Sequence, residues 1–202
     1  MPSTVQDLIK PHLCRFGDLV ITPKIRNWCA GAERNPPYVR HYDTFGKRID
    51  ELITSSGWQE LQKLGISEGI VAIGHDQTYG RHARTYQFLK YYIWAPWNAC
   101  VTCPSAMTDG GAQLLKMQLA KNDLDDERRA VFEDYYKRPT SRDPEHAWTS
   151  GQWMTERPGG SDVRATETQA SDFVSATSSG SEPQQVDITG KPLGSMSITG
   201  FK

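Results

Sequence analysis

Four stretches of this 202-residue chain carry side chains whose types and spacing could do chemistry. In QWMTERPGGSDV, residues 152–163, an aromatic, β-leaning segment runs into paired glycines, followed at once by a hydroxyl and a carboxylate. Gly159 and Gly160 have no Cβ, so a ligand can approach their peptide groups closely. Neither usual phosphate cradle fits: no Gly-Lys-Ser/Thr follows, and this is not Gly-x-Gly-x-x-Gly opening a helix. The main-chain groups of Trp153 and Met154, with the hydroxyls of Thr155 and Ser161, suit a flat, hydrogen-bonding ligand laid along the strand end. Its phosphates would lie against the turn. Taken alone, the glycine pair equally makes a plain turn.

The other stretches carry less. Cys100 and Cys103 have the spacing of half a zinc site or of a redox pair. A closed zinc site needs two more ligands, yet no second Cys-x-x-Cys or His-x-x-x-His follows, and no metal site is expected. A redox centre wants a strand-to-helix context, whereas the flanks here read as helical. The two are therefore expected to be small core cysteines at a helix–helix junction. His75-Asp76 with His82 could be a base beside an orienting acid, but no nucleophile motif accompanies them, and a surface turn is expected. DLDDERR, residues 123–129, reads as a solvated helix start.

A chain of 22.7 kDa can bury one good core and part of another. The net charge of -1 leaves no broadly basic surface, so nucleic-acid binding by this chain is not expected. Four cysteines are too few for a disulfide scaffold, and no apolar leader or membrane-length apolar run occurs. A soluble protein of a reducing, cytoplasmic compartment is expected, with the mitochondrial and peroxisomal compartments left open.

Residues 1–47 are dense in Pro and Gly and read as an irregular N-terminal arm. Trp58, Leu61 and Leu64 mark a short helix ended by Gly65 or Gly69. From Tyr79 to about Trp94, Ala83, Tyr86, Leu89, Lys90 and Ile93 share a helical face. Ser105 is expected to cap a helix carrying Ala112, Leu115 and Leu119, and Asp125-Asp126-Glu127 begins another bearing Val131, Phe132, Tyr135 and Tyr136. After Pro144 the pattern turns to β. Thr149–Thr155 reads as a strand, Val163, Phe173, Val174, Val186, Ile188, Met196 and Ile198 fall in short apolar runs, and residues 175–185 read as a long, mobile low-complexity loop. The fold class read from these patterns is α+β: an N-terminal all-helical domain over residues 48–147, then a β region over 148–202.

Met154-Thr155-Glu156-Arg157-Pro158-Gly159-Gly160-Ser161-Asp162-Val163 resembles the signature of acyl-CoA dehydrogenases, a strand ending in Met-Thr-Glu followed by Gly-Ser-Asp-Val. Residues 35–52 and 103–115 are similar to the alkylation-response, AidB-like branch of that family. The closing ITGFK resembles the strand that in the family leads into a Trp-Phe segment.

The resemblance implies a helical domain packed on a β-barrel, with residues 148–202 as the first strands of that barrel, incomplete in this chain, and FAD held between the barrel and a C-terminal helical bundle. It implies that Gln152 and Met154 contact the flavin through main chain or packing, that Thr155 donates a hydrogen bond near the reactive edge of the ring, and that Ser161 contacts FAD or the acyl-CoA phosphates. Acyl-CoA is the implied substrate, and a homo-oligomer or a full-length paralogue the implied partner. The family's catalytic base lies in a C-terminal part beyond Lys202, so no catalytic residue is expected here. The implied activity is oxidation of the acyl CH–CH bond, incomplete in this chain. The alternative is a non-catalytic truncated relative that binds acyl-CoA or a paralogue.

Overall fold

A computed structural model of the chain describes residues 2–157, 159–172 and 196–200. The chain divides into two compact units, Met1–Gly151 and Gln152–Lys202.

The first unit corrects the expectation of an irregular arm over residues 1–47. Helix α1, Ser3–Val20, runs straight through Pro11, although proline removes one helical hydrogen bond. It does so because Ile9, Phe16 and Val20 fall on one face and are all buried. Pro23 sits at the start of α2, Pro23–Arg34, where its fixed φ favours initiation rather than breaking. Pro36 and Pro37 do stop that helix. An antiparallel hairpin follows, β1 (Tyr38–Tyr42) with β2 (Arg48–Ile53), pairing Val39 with Leu52 and Arg40 with Glu51. Gly46 takes a φ of 80° at its turn, where Asp43 Oδ1 accepts from the amides of Phe45 and Lys47.

Helix α3, Ser56–Ser67, is capped by Ser55, whose hydroxyl accepts from Trp58 N at 3.2 Å, and Gly69 follows it with a φ of 68°. Two 3-10 turns, Ala72–His75 and Gln77–His82, precede α4, Ala83–Trp94, which starts later than its periodicity suggests. Its buried face is Ala83, Tyr86, Gln87, Lys90 and Trp94, whereas Leu89 is exposed. Helix α5, Thr102–Leu119, is begun by Asn98 and not by Ser105. Asn98 Oδ1 accepts from Thr102 N and Oγ1, both at 3.2 Å, while its amide donates to Trp94 O and Ala95 O at 3.0 and 2.9 Å. Ser105 lies one turn inside and donates back to Val101 O. Helix α6, Asp126–Lys137, is capped by Asp125, as the acidic run implies.

The core joins Phe16 and Val20 of α1, Ile25 and Cys29 of α2, Leu61 of α3 and Trp94 of α4. Trp94 is 0% exposed and meets Phe16 edge-on, with ring centroids 6.3 Å apart. Beside it, Lys90 is 2% exposed. Its ammonium lies 4.5 Å from the Phe16 ring centroid and donates to Glu68 O at 2.6 Å and Glu68 Oε2 at 2.9 Å, while Arg15 reaches the same carboxylate at 2.6 Å. Burial raises the Glu68 carboxyl, but the bonds from Arg15 and Lys90 outweigh it and hold it below the ordinary carboxylate range. Burial likewise lowers the Lys90 ammonium, and Glu68 restores it only in part.

The second unit contains an antiparallel pair, β3 (Gln169–Asp172) with β4 (Met196–Thr199), joined in the register Ala170 to Ile198. The expectations for Phe173, Val174, Val186, Ile188, the loop 175–185 and the final Phe201-Lys202 fall outside the described residues. The strand expected over Thr149–Thr155 is not formed. Trp153 has a φ of 51°, which breaks the pleat, and among the described residues no ladder runs beside this segment.

A Cβ built on Gly65 would lie 2.6 Å from Trp94 Cη2, with no room for the indole to move, whereas Gly17 inside α1 has nothing within 4 Å. Gly65→Ala is expected to destabilise the helical unit by about 1–3 kcal/mol. Gly17→Ala should stabilise it by about 0.5–1 kcal/mol. Urea unfolding followed by Trp fluorescence checks both signs.

Candidate functional site

The Met-Thr-Glu stretch ends in a two-bond turn. Glu156 N donates to Gly159 O at 3.0 Å and Gly159 N to Glu156 O at 3.1 Å. Close approach to backbone requires glycine at 159, while position 160 is merely tight. A Cβ on Gly159 would lie 2.8 Å from Asp162 O, and one on Gly160 would lie 3.3 Å from Thr155 Cγ2. The side chain of Glu156 points inward, buried, and its carboxylate accepts from Glu167 N at 2.7 Å, Thr168 N at 3.0 Å and Thr168 Oγ1 at 2.5 Å. Charge-assisted bonds of this kind fix the return segment against the turn.

Gln152, Met154, Thr155 and Ser161 are all exposed. Thr155 is brought over Gly160, next to Ser161, while Met154 lines a small cleft of about 30 Å³ with Glu156, Asp162 and Val163. Trp153 is 77% exposed beside them. The turn therefore offers apolar surface, a hydroxyl and bare glycine peptides on a held backbone. Among the described residues, no group of three or more His, Cys, Asp or Glu could hold a metal ion.

The helical unit carries an open apolar groove of about 450 Å³ between α5, α6 and residues 148–151, walled by Leu114, Leu115, Tyr135, Pro139 and Trp148. Gly111 lets the 150 region lie close, since a Cβ there would fall 2.9 Å from Ser150 Oγ. Ser150 N donates to Thr108 Oγ1 at 3.0 Å, and that hydroxyl donates to Pro104 O. Leu114 is 58% exposed on the rim.

Two expectations are corrected. His75 is not in a surface turn: it is buried, and in the neutral ring its Nε2–H donates to Asp109 Oδ1 at 2.7 Å, leaving Nδ1 to accept from the Tyr136 hydroxyl at 3.2 Å. Arg84 closes the network on Asp109 at 2.6 and 2.5 Å. Burial raises the Asp109 carboxyl, but the bonds from His75 and Arg84 hold it below its ordinary range. Cys100 and Cys103, expected in the core, are both exposed, because the residue that fills the core between them is Val101.

Residues 3–137 match the family described as the adaptive response protein AidB N-terminal domain. The chain belongs to this family. It is 36% identical over 171 residues to acyl-CoA dehydrogenase family member 11 of Caenorhabditis elegans, covering 81% of this chain and 26% of the relative. It is 26% identical over 143 residues to the putative acyl-CoA dehydrogenase AidB of Escherichia coli strain K12, covering 69% and 26%. Among solved structures it resembles Bd2924 in its apo form, with a TM-score of 0.79 and 36% identity over 99% of this chain and 35% of that one. It also resembles Caenorhabditis elegans ACDH-11 in complex with C11-CoA, with a TM-score of 0.75 and 34% identity over 84% and 28%. The mostly helical fold with a few strands and the resemblance to the AidB-like branch are thus borne out. The chain spans about a quarter of the length of the curated relatives it matches. Among the described residues no helix is long and apolar enough to cross a membrane.

Asp109→Ala leaves His75 and Arg84 without their shared acceptor and should cost about 1–3 kcal/mol. The depressed Asp109 carboxyl stabilises the fold above the ordinary carboxylate pKa, about 4, and this stability is lost as pH falls through its folded value. Acid unfolding of Asp109→Asn should therefore depend less steeply on pH than that of the wild type. Glu156→Ala should accelerate hydrogen exchange at the Glu167 and Thr168 amides by roughly ten- to a hundredfold, the equivalent of about 1–3 kcal/mol of lost bonding. The exchange of α4 should stay unchanged.

Proposed function

We propose that this chain supplies two binding surfaces of an acyl-CoA dehydrogenase-like flavoprotein, one for the flavin and one for the acyl-CoA. The observation that carries the reading is the held turn at residues 154–163, where a buried Glu156 fixes the backbone and Met154, Thr155 and Ser161 stay exposed to a ligand. In this reading Gln152 and Met154 contact the flavin through main chain or packing. Thr155 donates a hydrogen bond near the reactive edge of the ring, and Ser161 contacts FAD or the acyl-CoA phosphate region. Bound FAD supplies a ring that accepts a hydride, and this chain's residues bind and orient it. No residue of this chain is proposed as the base for the α-proton, so its share of the family's activity is binding.

The groove between α5 and α6 is the proposed wall for the acyl chain. Its lining is apolar apart from Thr149 and Ser150, and burial of each methylene favours binding by about 0.8 kcal/mol. The similar nematode structure is a complex with C11-CoA. Undecanoyl-CoA is accordingly the first ligand to try.

Two titrations of the purified chain test this. FAD should bind weakly, read as a change in flavin fluorescence, and Thr155→Ala or Ser161→Ala should weaken it by roughly three- to tenfold. Calorimetry with undecanoyl-CoA should show binding that Leu114→Arg abolishes without changing the melting temperature. Flavin fluorescence that never responds, or acyl-CoA binding indifferent to a charge in the groove, would sink the proposal.

A further inference from the structure

Cys100 and Cys103 take no part in the acyl-CoA reading, yet both are free, exposed cysteines. Cys103 N donates to Cys100 O at 3.0 Å, an i to i+3 turn. Such turns bring the two Cα atoms within about 7 Å, and a disulfide spans roughly 4.4–6.8 Å between Cα atoms. The turn is held from both sides. Val101, between the cysteines, is buried in the main core, and the buried Asn98 ties the turn back to Trp94 O and Ala95 O and forward to Thr102 N. Two thiols on a held turn lose little chain freedom when the second closes on the first, so internal closure outcompetes a second external thiol. The absence of a third ligand among the described residues separates this pair from a closed zinc site.

We infer that Cys100 and Cys103 form a reversible redox site that closes to an intramolecular disulfide by exchange with low-molecular-weight disulfides. One cysteine, as thiolate, attacks a sulfur of the small disulfide, forming a mixed disulfide and expelling one thiolate, which takes up a proton. The second cysteine gives its proton to solvent and attacks the protein sulfur of the mixed disulfide, expelling the second small thiol. A dithiol and one small disulfide become a protein disulfide and two small thiols, and two electrons pass from the cysteines to the oxidant.

The test incubates the reduced 202-residue chain with oxidised and reduced glutathione at fixed ratios, blocks free thiols by alkylation and reads intact mass and peptide map. The expected product carries two alkyl groups where the fully reduced chain carries four, with the two protected thiols both in the peptide that spans residues 100–103. Cys100→Ser and Cys103→Ser should each stop at a single glutathione adduct on the remaining cysteine, and Cys14→Ser should behave as the wild type. In guanidinium the equilibrium constant for closure should fall at least tenfold, because the turn is gone. Separate glutathione adducts on Cys100 and Cys103, a linkage to Cys14, no reaction in the folded chain, or equal closure in folded and denatured chain would each overturn the inference.

Discussion

Trp94 is fully buried where α1, α3 and α4 meet, edge-on to Phe16 and against the bare backbone of Gly65. Packing of one large indole at a site with no spare volume fixes the three helices relative to one another. The next links are polar. The carbonyls of Trp94 and Ala95 accept from Asn98, and Asn98 in turn accepts from the first amide of α5. The start of α5 is thereby set by the core, and along α5 lie the Cys100–Cys103 turn at its head, Asp109 with its buried histidine, and the groove wall at Gly111–Leu115. An ion network stands beside the indole: Lys90 and Arg15 share Glu68, and this ties α1 to α4 through charges that burial would otherwise disfavour.

Local chemistry in the sequence reveals the helices whose ends it specifies. The acidic run at Asp125 marks the start of α6, which Asp125 caps, and Gly69 follows α3 with a positive φ, whereas the cap of α3, Ser55, emerges only in the structure. Helix α1 was hidden because Pro11 and Gly17 argue against it locally, while the burial of Ile9, Phe16 and Val20 decides for it. The hairpin of β1 and β2 was hidden for the opposite reason. Tyr38, Val39, Tyr42 and Leu52 are exposed on both of its faces, so no alternation of apolar and polar residues marks the strands.

The candidate site was legible as a motif and less so as geometry. Met154-Thr155-Glu156 and Gly159-Gly160-Ser161 carry the family resemblance, but a strand needs a neighbour to pair with, and Trp153 takes a left-handed φ instead. The anchoring role of Glu156 is not legible in the motif, since its partners are amides eleven and twelve residues on, in a segment with no marked pattern. His75 was missed because its partners come from 34 and 61 residues away, a separation at which spacing in the sequence carries no signal. The cysteine pair was visible at once, but its exposure depends on which neighbour fills the core, and that neighbour is Val101.

The held turn is proposed to contact a flavin, and the apolar groove of the helical unit to take an acyl chain. The most direct measurement is a residue-resolved NMR titration of the isotope-labelled chain with FAD and, separately, with undecanoyl-CoA. FAD should shift the amides of residues 152–163 other than Pro158, and the acyl-CoA those of residues 111–115 and 148–151, with Ser161 also responding if it meets the acyl-CoA phosphates. Perturbation confined to other surfaces, such as the β1–β2 hairpin, or no perturbation by either ligand, would contradict it.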